Sequence, residues 1–298
     1  MIIQSMLSLN EALLGDYTQD TPTLWRTGGS SGDVWFGLMG DESDKEVSGL
    51  ELLRQPATHA LARYLNDLRS VLGFEAYLWR TIIKADYSQG DPMKFPKPGD
   101  PAPADSAVSQ MDIHSAVLGE MLFCRGVNSF LTYLANLMTL IYEKYPKKLP
   151  SNKQATYQFC IEHHLAGDLI SALAEKTVME LTYQSLDDLA KHFEEKLDLV
   201  LFTKSADLPT AALCVDIRNV ITHNRGIVNR FFIQRNPHFA DDVGKRVVLR
   251  EEERREMLST LGYCARQLDV RAIKKFGLET IKPEFKESAN ISPPDGAA

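Results

Sequence analysis

From about residue 56 onward, apolar side chains recur every three or four positions, the spacing that lines one face of an α-helix. Leu61, Tyr64, Leu65, Leu68 and Leu72 predict a first helix, broken at Gly73 and followed by a second apolar run over 74–83. Residues 115–146 predict a long helix whose stripe holds Leu118, Leu122, Val127, Phe130, Leu134, Leu137 and Ile141, stopped near Pro146. Another helix is expected over 157–181, and another over 185–202, with Ser185 as N-cap and Asp188 three residues on. A further helix is expected from about Thr210 to Arg225, where Gly226 supplies the usual residue just past a helix end. The short run from Ile227 to Phe232 reads as extended, and 249–277 reads as a last amphipathic helix. The expected fold is all-α, a bundle of about five helices on one core, preceded by an irregular N-terminal region with some helix.

Two stretches escape the helical period. Residues 1–55 mix aromatics with Gly, Ser and Asp, and the glycine-rich run at 27–33 lacks the Gly-Lys-Ser/Thr ending of a phosphate-cradling loop. Residues 86–106 hold five prolines, too many for a helix, and read as a linker or long surface loop. The expected organisation is an N-terminal region of unknown role over 1–106, a helical domain over 107–283 and a polar tail over 284–298, expected to be disordered.

Composition narrows the class. The 298 residues are 44% hydrophobic, enough for an ordinary globular core. Cys124, Cys160, Cys214 and Cys264 are far apart, each in an apolar run with no CxxC pair, and read as reduced thiols. No apolar run approaches the roughly 20 residues of a membrane span, and the first residues lack a basic leader, so a cytoplasmic location is expected and the sequon at Asn290 reads as a chance match. The net charge of −7 excludes a protein that coats nucleic acid over its whole surface. Charge is uneven: residues 1–110 carry 15 acidic and 9 basic side chains, so the other 188 residues stand near neutral. Within 211–235, Arg218, Arg225, Arg230 and Arg235 face only Asp216, a local basic patch.

Candidate chemistry falls in that same stretch. Leu213, Ile217, Val220 and Ile221 anchor one face of the expected helix, while Arg218, Asn219, Thr222 and His223 present polar groups beside it. An arginine, a polar residue directly after it and a histidine four residues further resembles the motif of the HEPN superfamily; the resemblance covers about 110–280 and is clearest over 214–250. It implies a metal-independent endoribonuclease with Arg218 and His223 as catalytic residues and no cofactor. Asn219, Thr222 and Asn224 would support them, with Asn219 orienting His223 or a phosphate oxygen, and Arg225 and Arg230 would bind RNA. It further implies a bacterial toxin or abortive-infection effector, a homodimer with a composite site, and an antitoxin or defence-system partner. Non-catalytic members imply the other reading, a module that binds nucleotide, RNA or a partner protein.

The residue types suit the reaction. Attack of the RNA 2′-hydroxyl on its own phosphate needs a base, an acid for the leaving 5′-oxygen and positive charge for the extra charge on phosphorus. Imidazole titrates near neutrality and serves the first two tasks; guanidinium serves the third. Residues five apart on a regular helix stand about 140° apart, so Arg218 and His223 do not converge from one straight helix. Either the helix distorts near Gly226 or a second subunit completes the site. Glu162, His163, His164 and Asp168 raise the thought of a metal, but a bundle site needs a second ligating pair, and these read as helix-surface residues. His59, His114 and His192 have no chemical partner in the sequence.

Overall fold

The computed structural model describes residues 56–89, 107–150, 154–164, 166–182 and 184–281. The expectations for 1–55, for 90–106 within the proline-rich stretch and for the tail after 281 lie outside the described residues. Among the described residues the fold is all-α, with eight α-helices and no strand. They are α1 (His59–Gln89), α2 (Ala107–Lys144), α3 (Tyr157–Glu162), α4 (Ala166–Thr182), α5 (Leu186–Leu197), α6 (Asp207–Asn224), α7 (Arg230–Arg235) and α8 (Glu251–Phe276), with short 3-10 turns at Pro146–Lys148 and Pro237–Asp242. No described helix is long and apolar enough to cross a membrane.

Helix α2 is the axis, packing against α1, α4, α6 and α8. Its stripe of Phe123, Val127, Phe130, Leu134, Leu137 and Ile141 is fully buried, because each of these positions faces another helix. Two glycines bring α8 close: a Cβ on Gly126 would stand 2.5 Å from a Leu258 methyl, and one on Gly119 2.6 Å from the Arg254 guanidinium. Arg254 is fixed there, donating to Glu75 of α1 at 2.5 Å and to the Leu249 carbonyl at 2.8 Å.

Several elements differ from the sequence expectation. Helix α1 runs unbroken through Gly73, because thirty-one residues of helical period outweigh the roughly 1 kcal/mol that one interior glycine costs. It also belongs to the same core as the rest: Leu61, Tyr64 and Leu68 are buried with α2 and α8 residues, and Thr58 anchors its start on α8. Helix α2 begins at Ala107, eight residues before the expected start. The helix expected over 157–181 is two, α3 and α4, with His163 closing the first and His164 following it. The segment from Ile227 is extended only briefly, because the Asn229 side chain accepts from the Phe232 amide at 2.9 Å and starts α7. Ser185 caps α5 as its spacing with Asp188 implied, accepting from the Asp188 amide at 3.2 Å.

Candidate anion-binding site at the end of helix α6

Helices α6 and α2 run antiparallel and meet once per turn. Arg218 Nε donates to Asn128 Oδ1 at 2.8 Å, Thr222 and Cys124 share a hydrogen bond, and a Cβ on Gly226 would stand 3.6 Å from Glu120 Oε1. Each step of four residues on α6 thus meets a step of four on α2. The site is built from both helices, and the α2 residues carry no signal in the motif itself. Only their shared spacing, Glu120, Cys124 and Asn128 on one helix face, was legible in the sequence.

Arg218 is half-buried and held at two of its nitrogens, since Nη1 also donates to Asn219 Oδ1 at 2.8 Å. The Asn219 side-chain oxygen therefore orients Arg218, a contact the sequence did not foresee. Both acceptors are neutral amides, which fix the guanidinium in place without offsetting its charge. Most other paired arginines are neutralised: Arg125 by Asp67, Arg246 by Glu120, Arg250 by Glu253, Arg254 by Glu75 and Arg255 by Glu251. Arg235, counted in the basic patch, binds Asp216 at 3.0 Å and Asp187 at 3.1 Å, so the patch reduces to Arg218, Arg225 and Arg230.

Helix α6 stays regular to Asn224, and then Arg225 and Gly226 both take positive φ, 54° and 77°. The left-handed cap thus begins one residue before the expected glycine. The Gly226 amide donates back to the Val220 carbonyl at 3.0 Å, closing the helix end, and the Asn224 side chain donates to the Ile227 carbonyl. Asn224 therefore shapes the turn after the helix. An antiparallel bridge between Ile227 and Arg246 then ties that turn to the loop before α8. Because α6 does not distort before Asn224, Arg218 turns toward α2 while His223 stands exposed on the helix surface. The side chains of His223, Arg225 and Arg230 form no hydrogen bond or ion pair with any described residue.

Electrostatics at the site are set by these contacts. Burial pushes the Cys124 thiol above its ordinary value, opposed by the Thr222 hydrogen bond and the Arg218 charge. The four cysteines are free; Cys214, in the core, is pushed up to about 12 by burial. Among the described residues no group of three His, Cys, Asp or Glu side chains is placed to hold a metal ion. His192, which had no partner in the sequence, meets the Tyr142 hydroxyl at 2.5 Å beside a shallow cavity of about 290 Å³. That cavity holds Lys191 and Lys196 against Asp188 and Glu195, so it offers a phosphate no excess of positive charge.

Among the described residues the fold is all-α, and the site presents a fixed guanidinium turned toward α2 and, apart from it, an exposed imidazole near the end of α6. Comparison of the chain with protein-family models, with curated proteins and with solved structures finds no match in any of the three.

Proposed function

We propose that the chain is a metal-independent endoribonuclease of HEPN type, a cytoplasmic toxin or phage-defence effector that cleaves RNA through attack of its 2′-hydroxyl. The observation that carries this reading is Arg218, oriented by Asn128 and Asn219 yet left with its full charge. Such a guanidinium suits a phosphate whose negative charge grows in the transition state. His223, exposed at the helix end, takes the 2′-hydroxyl proton or delivers one to the 5′-oxygen leaving group; Arg225 and Arg230 hold neighbouring phosphates.

Within one chain Arg218 and His223 diverge, so the reading requires a homodimer in which His223 of one copy meets Arg218 of the other across a two-fold axis. The same divergence favours the second reading, a non-catalytic module that binds RNA, nucleotide or a partner protein, for a chain that stays monomeric. The test is to incubate the protein and its Arg218→Ala and His223→Ala variants with total RNA in EDTA and to assay for cleavage and cyclic-phosphate ends. Cutting by the unaltered protein alone supports the nuclease; folded dimers that cut nothing would sink it. Mixing the two variants adds a second check, because a composite site regenerates part of the activity in heterodimers.

A further inference from the structure

Helix α6 ends at the level of Glu120, but α2 continues for more than three further turns toward Ala107. The face of α2 that α6 covers at Cys124 and Asn128 therefore runs on bare. Ile113 and Val117 continue that face at helical spacing and are 65% and 51% exposed, and Met121 beside them is 65% exposed. Where the bare stretch meets the end of α6 stand Gly226 and the Arg246–Glu120 ion pair; Arg225 is the exposed residue next to Gly226, and beyond the turn come Arg230 and Phe231, the latter 78% exposed. An apolar strip of this kind, abutting uncompensated cations, marks a docking surface.

The chain carries a matching segment. Residues 1–55, outside the described residues, hold nine acidic against three basic side chains, almost the whole net charge of the protein. Within them an apolar run, Val34-Trp35-Phe36-Gly37-Leu38-Met39, precedes, across Gly40, Asp41-Glu42-Ser43-Asp44-Lys45-Glu46, with four acids in six positions. The order apolar then acidic repeats the order along the surface, Ile113 and Val117 and then Arg225 and Arg230.

We propose that residues 34–46 of the same chain dock on this face, the apolar run against Ile113, Val117 and Met121 and the acidic run against Arg225 and Arg230. The residues between 46 and Pro56 span up to roughly 30 Å when extended, and tethering raises the effective concentration of a weakly binding segment.

The test uses the full-length protein with a photoreactive benzoylphenylalanine in place of Val117, an exposed position that tolerates it, and the same probe at exposed Tyr157 as the control. Irradiated products are digested and mapped by mass spectrometry from a mixture of isotopically light and heavy protein. The expected result is a link from position 117 to a peptide within 34–46 of the same chain, at least fivefold weaker in an Arg225→Glu/Arg230→Glu background and absent from position 157. Links joining light to heavy chains assign the face to a second copy and overturn the proposal, as does the absence of any link to 34–46. The readout needs no cleavage of RNA, so failure of the nuclease reading and failure of the docking are told apart.

Discussion

Arg218 and Arg235 come from one basic stretch of sequence and reach opposite ends. Arg235 is neutralised by Asp187 and Asp216, whereas Arg218 is held by two amides. The amide at Asn128 is thus a positioning group, and its charge matters more than its shape. Asn128→Asp preserves the hydrogen bond to Nε but places a carboxylate against the guanidinium. The variant should melt no lower than the parent yet bind a non-cleavable 2′-O-methyl RNA at least tenfold more weakly, as read by fluorescence anisotropy; unchanged affinity counts against Arg218 as a phosphate ligand. Arg225 offers a companion test. Its φ of 54° is a conformation that costs a side-chain-bearing residue about 1 kcal/mol relative to glycine. Arg225→Gly should therefore raise stability in urea titrations by about that amount while weakening RNA binding, the pattern of strain retained for function. A loss of stability would show that the Arg225 side chain makes contacts that outweigh the strain.

Between elements, the close approaches decide which glycines matter. Gly73 lies inside α1 with nothing within 4 Å of its missing Cβ, so Gly73→Ala should stabilise the protein by about 1 kcal/mol. Gly126→Val drives a branched side chain into buried Leu258 and should cost about 3 kcal/mol. Chemical denaturation of both variants gives the two signs directly, and equal effects would mean that α2 and α8 are not pressed together at Gly126. Helices α1 and α8 are joined differently. The buried Asp269 accepts from the Thr58 amide at 2.9 Å and from its hydroxyl at 2.6 Å, tying the start of α1 to α8. Burial raises the Asp269 carboxyl above its ordinary value, although the Thr58 hydrogen bonds and the Arg266 charge pull it down. A carboxyl raised in the folded state holds its proton more tightly there than in the unfolded chain. Its stabilising contribution is full below the ordinary value near 3.8 and is lost as pH rises through the folded one. The parent protein should therefore lose stability relative to Asp269→Asn as pH is raised from about 4 toward neutrality. Melting curves in a pH series check this, and a difference that moves the other way reverses the assignment.

For the molecule as a whole, α1 is part of the core. A chain beginning at Pro56 keeps Leu61, Tyr64 and Leu68 against Phe130, Tyr133 and Leu261, whereas one beginning at Ala107 exposes those partners to water. Burying a large apolar side chain contributes about 1.5 to 3 kcal/mol, so losing several exceeds the usual stability of a domain. Removal of 1–55 should leave a cooperative thermal transition and removal of 1–106 should abolish it, as calorimetry would show. A cooperative transition in the shorter chain would restore the division at residue 106 suggested by its prolines.

The sequence by itself determined the all-α class, the α2 stripe, the Ser185 cap and the end of α8 at Gly277, because local spacing and local hydrogen bonds fix those features. It also marked the stretch around Arg218 and His223 as the place to look. It misjudged Gly73, the join of α3 and α4 and the start of α7, where small local preferences compete with packing or with a single capping side chain. Only the tertiary structure decided that Asn128 holds Arg218, that Asp187 and Asp216 silence Arg235, and that Tyr142 meets His192. Those partners lie tens of residues apart for all but Asp216, and no period along the chain brings them together; the antiparallel pairing of α2 with α6 and the closure of one core around α2 do.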